Sequence, residues 1–210
     1  MHIGIIGTGS MASALAQKLS KAGHTIMIGS RDAGRSKSLA EMMGSNVHGG
    51  SIPQAADFGQ AIILAVTWLG VDNALEEMGD LEGRVLVDCT NPLDPDSYDL
   101  IPGMKTSAAE YIANKSKHAQ VVKAFNTVFA ERILLGADVD GSKASVFYCT
   151  DEKAAKDVAV EIIEDLGFEP INCGELKNAR YLEPMGGMII KLGYPMGLGT
   201  EIAFKLLGDI

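Results

Sequence analysis

The segment His2-Ile3-Gly4-Ile5-Ile6-Gly7-Thr8-Gly9-Ser10-Met11-Ala12 reads as an apolar strand, a Gly-x-Gly-x-x-Ala turn and the start of a helix whose pattern runs to Leu19. Such a turn brings backbone N–H groups and the positive end of a helix up to a pyrophosphate. By itself the turn recurs in ordinary loops; the strand before it and the helix after it point to dinucleotide binding. The next apolar run, 24–29, ends in Gly29-Ser30-Arg31, and Arg35 follows one turn later. An NAD site usually carries Asp or Glu at this place, to accept a hydrogen bond from the ribose 2′-OH. A hydroxyl and two guanidinium groups suit a 2′-phosphate instead, which a carboxylate would repel. A cation near a helix N-terminus is electrostatically unhelpful there, so an anion partner accounts better for both arginines. Two charge-assisted hydrogen bonds of about 1.5–3 kcal/mol each would favour NADP over NAD on the order of a hundredfold.

Length and composition bound the rest. A chain of 210 residues buries roughly 70% of its unfolded surface, enough for one full core. A net charge of -9 argues against nucleic acid, whose binding rests on basic surfaces. It also obliges an anionic coenzyme to find a local basic spot within a repulsive field. No apolar run reaches the ~18 residues of a membrane helix, and the early strand leaves no room for a signal peptide. Cys89, Cys149 and Cys173 are odd in number and far apart, and read as reduced thiols, neither disulfides nor metal ligands. The expectation is a cytoplasmic, soluble protein with no metal, nucleic-acid or membrane partner.

Apolar runs alternate with helical patterns along most of the chain. Strands are predicted near 2–7, 24–29, 46–48, 61–66, 84–89, 120–125, 144–149 and 168–173, with helices near 10–22, 34–44, 70–78, 107–115 and 151–166. The runs Ala61-Ile62-Ile63-Leu64-Ala65-Val66 and Val85-Leu86-Val87 suit parallel strands covered on both faces. This alternation predicts a doubly wound, mostly parallel α/β Rossmann sheet. The longest loop-like stretch begins at Thr90-Asn91-Pro92 and includes Gly103. We divide the chain into a dinucleotide-binding domain, 1–175, and a C-terminal helical segment, 176–210. That segment is helical from Arg180 to Leu192 despite Pro184, Gly186 and Gly187, then passes Gly193-Tyr194-Pro195-Met196-Gly197-Leu198-Gly199 into a short amphipathic helix ending at Leu207. Its glycines fit either a close-packed helix pair or a platform for a flat ligand.

No side chain stands out as a general acid or base. Ligands of open α/β sheets bind beyond the carboxyl ends of the strands. His2, His24 and His118 fall at or before strand starts, and His48 lies on the adenine side. Lys123, inside a strand, reads as a boundary residue or tail contact, and Tyr181 and Glu183 as helix-packing and surface groups. Alcohol or amino-acid oxidation needs a positioned acid or base. Hydride exchange between two coenzymes does not, because the acceptor ring stabilises the incoming charge.

The turn Gly7-Thr8-Gly9-Ser10-Met11, Gly29-Ser30-Arg31, Thr67-Trp68 after the fourth strand and Pro195-Met196-Gly197-Leu198-Gly199 resemble the NADPH-dependent coenzyme F420 reductases, along nearly the whole chain. The N-terminal domain of six-transmembrane metalloreductases is similar too. The resemblance implies that Thr8, Ser30, Arg31 and Arg35 hold the 2′-phosphate of NADP and that Gly9, Ser10 and Met11 hold the pyrophosphate. It further implies Trp68 and Asn91 along the ribose–nicotinamide side, Asn126 and Ala130 in the nicotinamide pocket, and Met196, Gly197 and Leu198 near both rings. Coenzyme F420 or a flavin would be the hydride partner, and the C-terminal helices would form a homodimer. Met185, Met188, Ile189, Ile190 and Leu192 are consistent with that contact or with a buried helix. Family members often carry His-Thr after the sixth strand; here Asn126-Thr127 stands there, as in a branch of predicted dinucleotide-binding enzymes. Trp68 reads equally as an amphipathic lid over the sheet edge. Two other functions compete: an imine or other small-substrate reductase, which would need a larger helical domain after the last strand, and a non-catalytic NADPH sensor.

Overall fold

A computed structural model describes residues 1–101, 106–116 and 118–208. The elements begin with β1 (His2–Ile6), α1 (Ser10–Lys21), β2 (Thr25–Gly29), α2 (Ala33–Glu41), β3 (Val47–Gly50) and α3 (Ile52–Phe58). They continue with β4 (Ala61–Leu64), α4 (Val71–Met78), β5 (Val85–Asp88), α5 (Ala108–Lys115), β6 (Gln120–Lys123) and α6 (Ala130–Leu135). A small hairpin, β7 (Asp138–Val139) and β8 (Ser142–Lys143), precedes β9 (Ser145–Thr150), α7 (Lys153–Asp165), β10 (Glu169–Asn172) and α8 (Ala179–Gly193).

Eight strands form one sheet in the order β10-β9-β6-β5-β4-β1-β2-β3. It is the expected doubly wound, mostly parallel α/β sheet: β9 runs antiparallel to β6, and β10 follows β9 in parallel. All four residues of β4 and of β5 are buried, as continuous apolar strands covered on both faces must be. β1 pairs with β2 on one side and β4 on the other. The strand order reverses there, and connections leaving in opposite directions open a crevice beyond the carboxyl ends.

Besides the β7–β8 hairpin, three features escape the sequence pattern. α3 has seven residues, too few for a helical period to show, and forms through a Ser51–Gln54 capping box with proline in its first turn. α6 is shorter still. The stretch 202–207 is not the amphipathic helix expected from its pattern, but an extended tail. Ser145 N–H donates to the Phe204 carbonyl at 2.9 Å, and Leu206 N–H to Ser145 Oγ at 3.1 Å. Fewer than two helical turns cannot offset helix nucleation, so the backbone pairs with the start of β9 instead. Gly103 lies outside the described residues.

Candidate functional site

The crevice at the ends of β1 and β4 has two arms. Gly7 holds φ at +125°, and a Cβ there would lie 2.3 Å from the Ala65 carbonyl oxygen, so only glycine lets β1 and β4 close at this point. Gly9 faces open space: nothing lies within 4 Å of where its Cβ would stand. It caps α1 without a side-chain hydrogen bond, leaving the N–H groups of the first turn for an anion.

The first arm is a pocket of about 270 Å³ that brings together Gly7, Thr8, Gly9, Ser30, Arg31, Arg35 and Thr67. Both arginines are exposed, and neither forms an ion pair among the described residues. Asp32 stands among them, a carboxylate the sequence reading passed over. Its Oδ1 caps α2, accepting from Gly34 N–H at 2.9 Å and Arg35 N–H at 3.2 Å. Ser30 Oγ donates to the Asp32 carbonyl at 2.5 Å. The acid is thereby committed to its own helix.

The second arm is a cavity of about 410 Å³ that gathers Gly9, Ser10, Met11, Thr67, Asn91, Asn126 and Ala130. Its remaining wall includes Phe129, Ile189, Ile190 and Tyr194, none of which carries a local motif that sequence could flag. Phe125, two residues past the end of β6, holds φ at +63°, backbone that costs a non-glycine residue about 1–2 kcal/mol, and the next residue, Asn126, meets Asn91. Asn91 Nδ2 donates to the Asn126 carbonyl at 2.8 Å, and Asn126 Nδ2 donates to Asn91 Oδ1 at 3.0 Å and to the Leu182 carbonyl at 2.8 Å. Among the described residues, Asn126 Oδ1 is left buried with no partner.

Other expected residues lie elsewhere. Trp68, in a short 3-10 turn, packs edge-on against Tyr111 with ring centroids 5.5 Å apart, outside both linings. Met196, Gly197 and Leu198 are exposed in the turn after α8 and are also outside both. Ile189 and Ile190 turn inward to the cavity, while Met188 faces out.

Lys123 and Glu183 differ most from the expectation of boundary and surface groups. Lys123 is fully buried, and its ammonium donates to Asp88 Oδ2 at 2.9 Å and the Thr90 carbonyl at 2.6 Å. Glu183 Oε1 lies 3.1 Å from it. Burial opposes the Lys123 charge, but the two carboxylates outweigh it and hold its pKa above the ordinary lysine value. Glu183 also accepts from Ala108 N–H at 2.9 Å and Ala109 N–H at 3.1 Å, at the head of α5. This cluster fastens β5, β6, α5 and α8 directly behind the two asparagines.

The family model for "NADP oxidoreductase coenzyme F420-dependent" matches residues 2–92. F420-dependent NADP reductase of Methanothermobacter marburgensis is 31% identical over 209 residues, covering 91% of this chain and 92% of that protein. The chain belongs to this family of NADP-dependent oxidoreductases. A fellow member from Arthrobacter sp. FB24, provisionally described as an F420-dependent NADP reductase, superposes with a TM-score of 0.88 at 27% identity, over 98% of this chain and 99% of that one. Rat metalloreductase STEAP3 is 31% identical over 209 residues, which span 96% of this chain but 40% of STEAP3. In this F420-dependent reductase relative no described helix is long and apolar enough to cross a membrane.

Proposed function

We propose that the protein exchanges hydride between NADP(H) and a flat (deaza)flavin acceptor such as coenzyme F420. The observation that carries this reading is the joining of a basic arm and an apolar arm at Gly9 and Thr67. Arg31, Arg35, Ser30 and Thr8 would hold the 2′-phosphate, and the uncapped first turn of α1 the pyrophosphate. The orphaned Asn126 Oδ1 fits a carboxamide N–H donor, which would satisfy an otherwise costly buried acceptor.

When bound, the nicotinamide and the acceptor ring supply the redox chemistry themselves. The chain's part is to stack two rings at reacting distance and exclude water. Burial pushes the Cys89 thiol up, and burial followed by Glu131 raises the Tyr194 phenol, so neither of these lining groups is tuned to give up a proton near neutral pH. That disfavours substrates whose reduction needs a positioned acid. The C-terminal segment 176–210 completes the acceptor side through Ile189, Ile190 and Tyr194. Three free cysteines suit a reducing cytoplasm.

Mixing the protein with NADPH and either coenzyme F420 or a flavin tests the reading. The absorbance of the oxidised ring should bleach at a rate proportional to protein. Unchanged spectra with NADPH demonstrably bound would leave a nucleotide sensor as the better account.

A further inference from the structure

The acceptor cavity does not end at its own wall. At Ser10, Ala130 and Glu131 it adjoins a groove of about 250 Å³ that continues along Ser13, Gln17, Met42 and Leu134. Ser10, Ser13 and Gln17 recur at helical spacing, so their side chains share one face of α1. At 1.5 Å per residue this polar stripe runs about 10 Å away from the cavity. A serine within a helix commonly returns its hydroxyl to a carbonyl one turn earlier, as Ser20 Oγ does to Gln17 at 3.0 Å. Ser13 instead bonds through its backbone N–H, to the Gly9 carbonyl at 2.9 Å. Gln17 is engaged through its backbone carbonyl. The Ser13 hydroxyl and the Gln17 amide, both half-buried, thus remain unspent among the described residues. Beside them Met42 is 75% exposed and Leu134 45%, an apolar edge along a polar stripe.

A chain lying in this groove meets hydrogen-bonding groups on one side and hydrocarbon on the other. A linear polyol matches both, offering hydroxyls to the stripe and C–H groups to Met42 and Leu134. Serine hydroxyls and glutamine amides each donate and accept, as the hydroxyls of a polyol do. We infer that the groove holds a polyhydroxyl chain borne by the acceptor ring, with Ser13 and Gln17 reading its hydroxyls. The ring occupies the cavity, and its chain passes Ala130 and Glu131 into the groove. The inference rests on the ring-acceptor reading above and adds the substituent that the ring must carry. Flavins and coenzyme F420 both bear a ribityl chain, so the groove selects for ring plus polyol and not for one ring. A site that hydrogen-bonds a hydroxyl rejects the analogue that lacks it more sharply than an apolar site could.

Riboflavin and lumiflavin share one ring system, and lumiflavin has a methyl group in place of the ribityl chain. Each is titrated against the whole protein at saturating NADP+, following quenching of ring fluorescence. The hydroxy-deazaflavin ring of coenzyme F420, with ribityl and with methyl, provides a second pair. The ribityl form should bind about tenfold tighter than its methyl counterpart, as two hydrogen bonds would give. Ser13→Ala with Gln17→Ala should erase that advantage while the methyl form binds as before. NADPH affinity of the variant reports that it is folded. Where the double variant loses NADPH as well, Gln17→Ala alone carries the test, with about a threefold loss for the ribityl form. A ribityl form no tighter than the methyl form, or variants that weaken both forms alike, would overturn the inference and leave the ring-acceptor reading standing. Binding of none of these rings, while NADPH still binds, would overturn the ring-acceptor reading and this inference together.

Discussion

Lys123 Nζ sits 3.1 Å from Glu183 Oε1, with both side chains buried, and the pair joins the end of a central strand to the helix that walls the acceptor cavity. Asp88, 2.9 Å from the same ammonium, is the other carboxylate of the cluster. Removing the cation would leave two buried acids facing each other. Lys123→Met should therefore cost about 3–5 kcal/mol, the range for breaking a buried ion pair from one side. A urea titration reads this as a lower midpoint with an unchanged slope; a loss below 1 kcal/mol would mean the cluster is not charged as described.

Two neighbouring glycines of α8 should respond with opposite signs. A Cβ on Gly186 would stand 2.4 Å from Asn91 Oδ1 and 2.8 Å from the Asn126 carbonyl oxygen. Gly186→Ala should lose about 1–3 kcal/mol through overpacking and slow acceptor reduction by parting the asparagines. At Gly187 the nearest atom is Leu93 Cδ2 at 3.5 Å, an ordinary contact. Gly187→Ala should gain up to about 1 kcal/mol from helix propensity and a less flexible unfolded chain. Thermal melting of the two variants checks both signs.

Coenzyme choice should follow the first arm. Arg31→Ala with Arg35→Ala should weaken NADPH binding on the order of a hundredfold while NADH binding changes little. Calorimetric titration of both nucleotides separates this from a structural effect, which would weaken them equally.

Acid should loosen α8 from α5. Arg180 donates to both Glu110 oxygens, at 2.8 and 2.7 Å, and holds that carboxyl at about 2, against an ordinary value of 4.5. Because the folded value is the lower one, the stabilisation is complete above about 4.5 and fades as pH falls towards 2. Arg180→Met should cost about 1 kcal/mol at pH 7, as befits a half-exposed pair, and little at pH 2. Urea midpoints at the two pH values give the comparison.

A homodimer would use the outer face of α8, where Tyr181 is 72% exposed and Met188 56%. Met188→Glu should then yield a monomer in sedimentation equilibrium. An unaltered mass of two chains would place the contact elsewhere.

The strands and the glycine turn were legible because each rests on residues adjacent in sequence. Apolar runs name buried parallel strands, and Gly7, Gly9, Ser30 and Arg31 sit where chain order alone puts them at strand ends. The acceptor wall was not legible. Phe129 and Tyr194 are 65 positions apart, yet their rings meet edge to face with centroids 5.5 Å apart. Glu183 looked like a surface acid because its environment is supplied by Lys123 and the head of α5, both distant in the chain.

By itself, then, the sequence determined the doubly wound sheet and the basic turn after β2, since local period and adjacent charges encode both. Only the tertiary structure decided that Asp32 turns to its own helix, that one lysine is shared between two carboxylates in the core, and that Phe129, Ile189, Ile190 and Tyr194 wall the cavity. Those outcomes depend on which distant groups share a desolvated space, and burial there can reverse the meaning of any single charge.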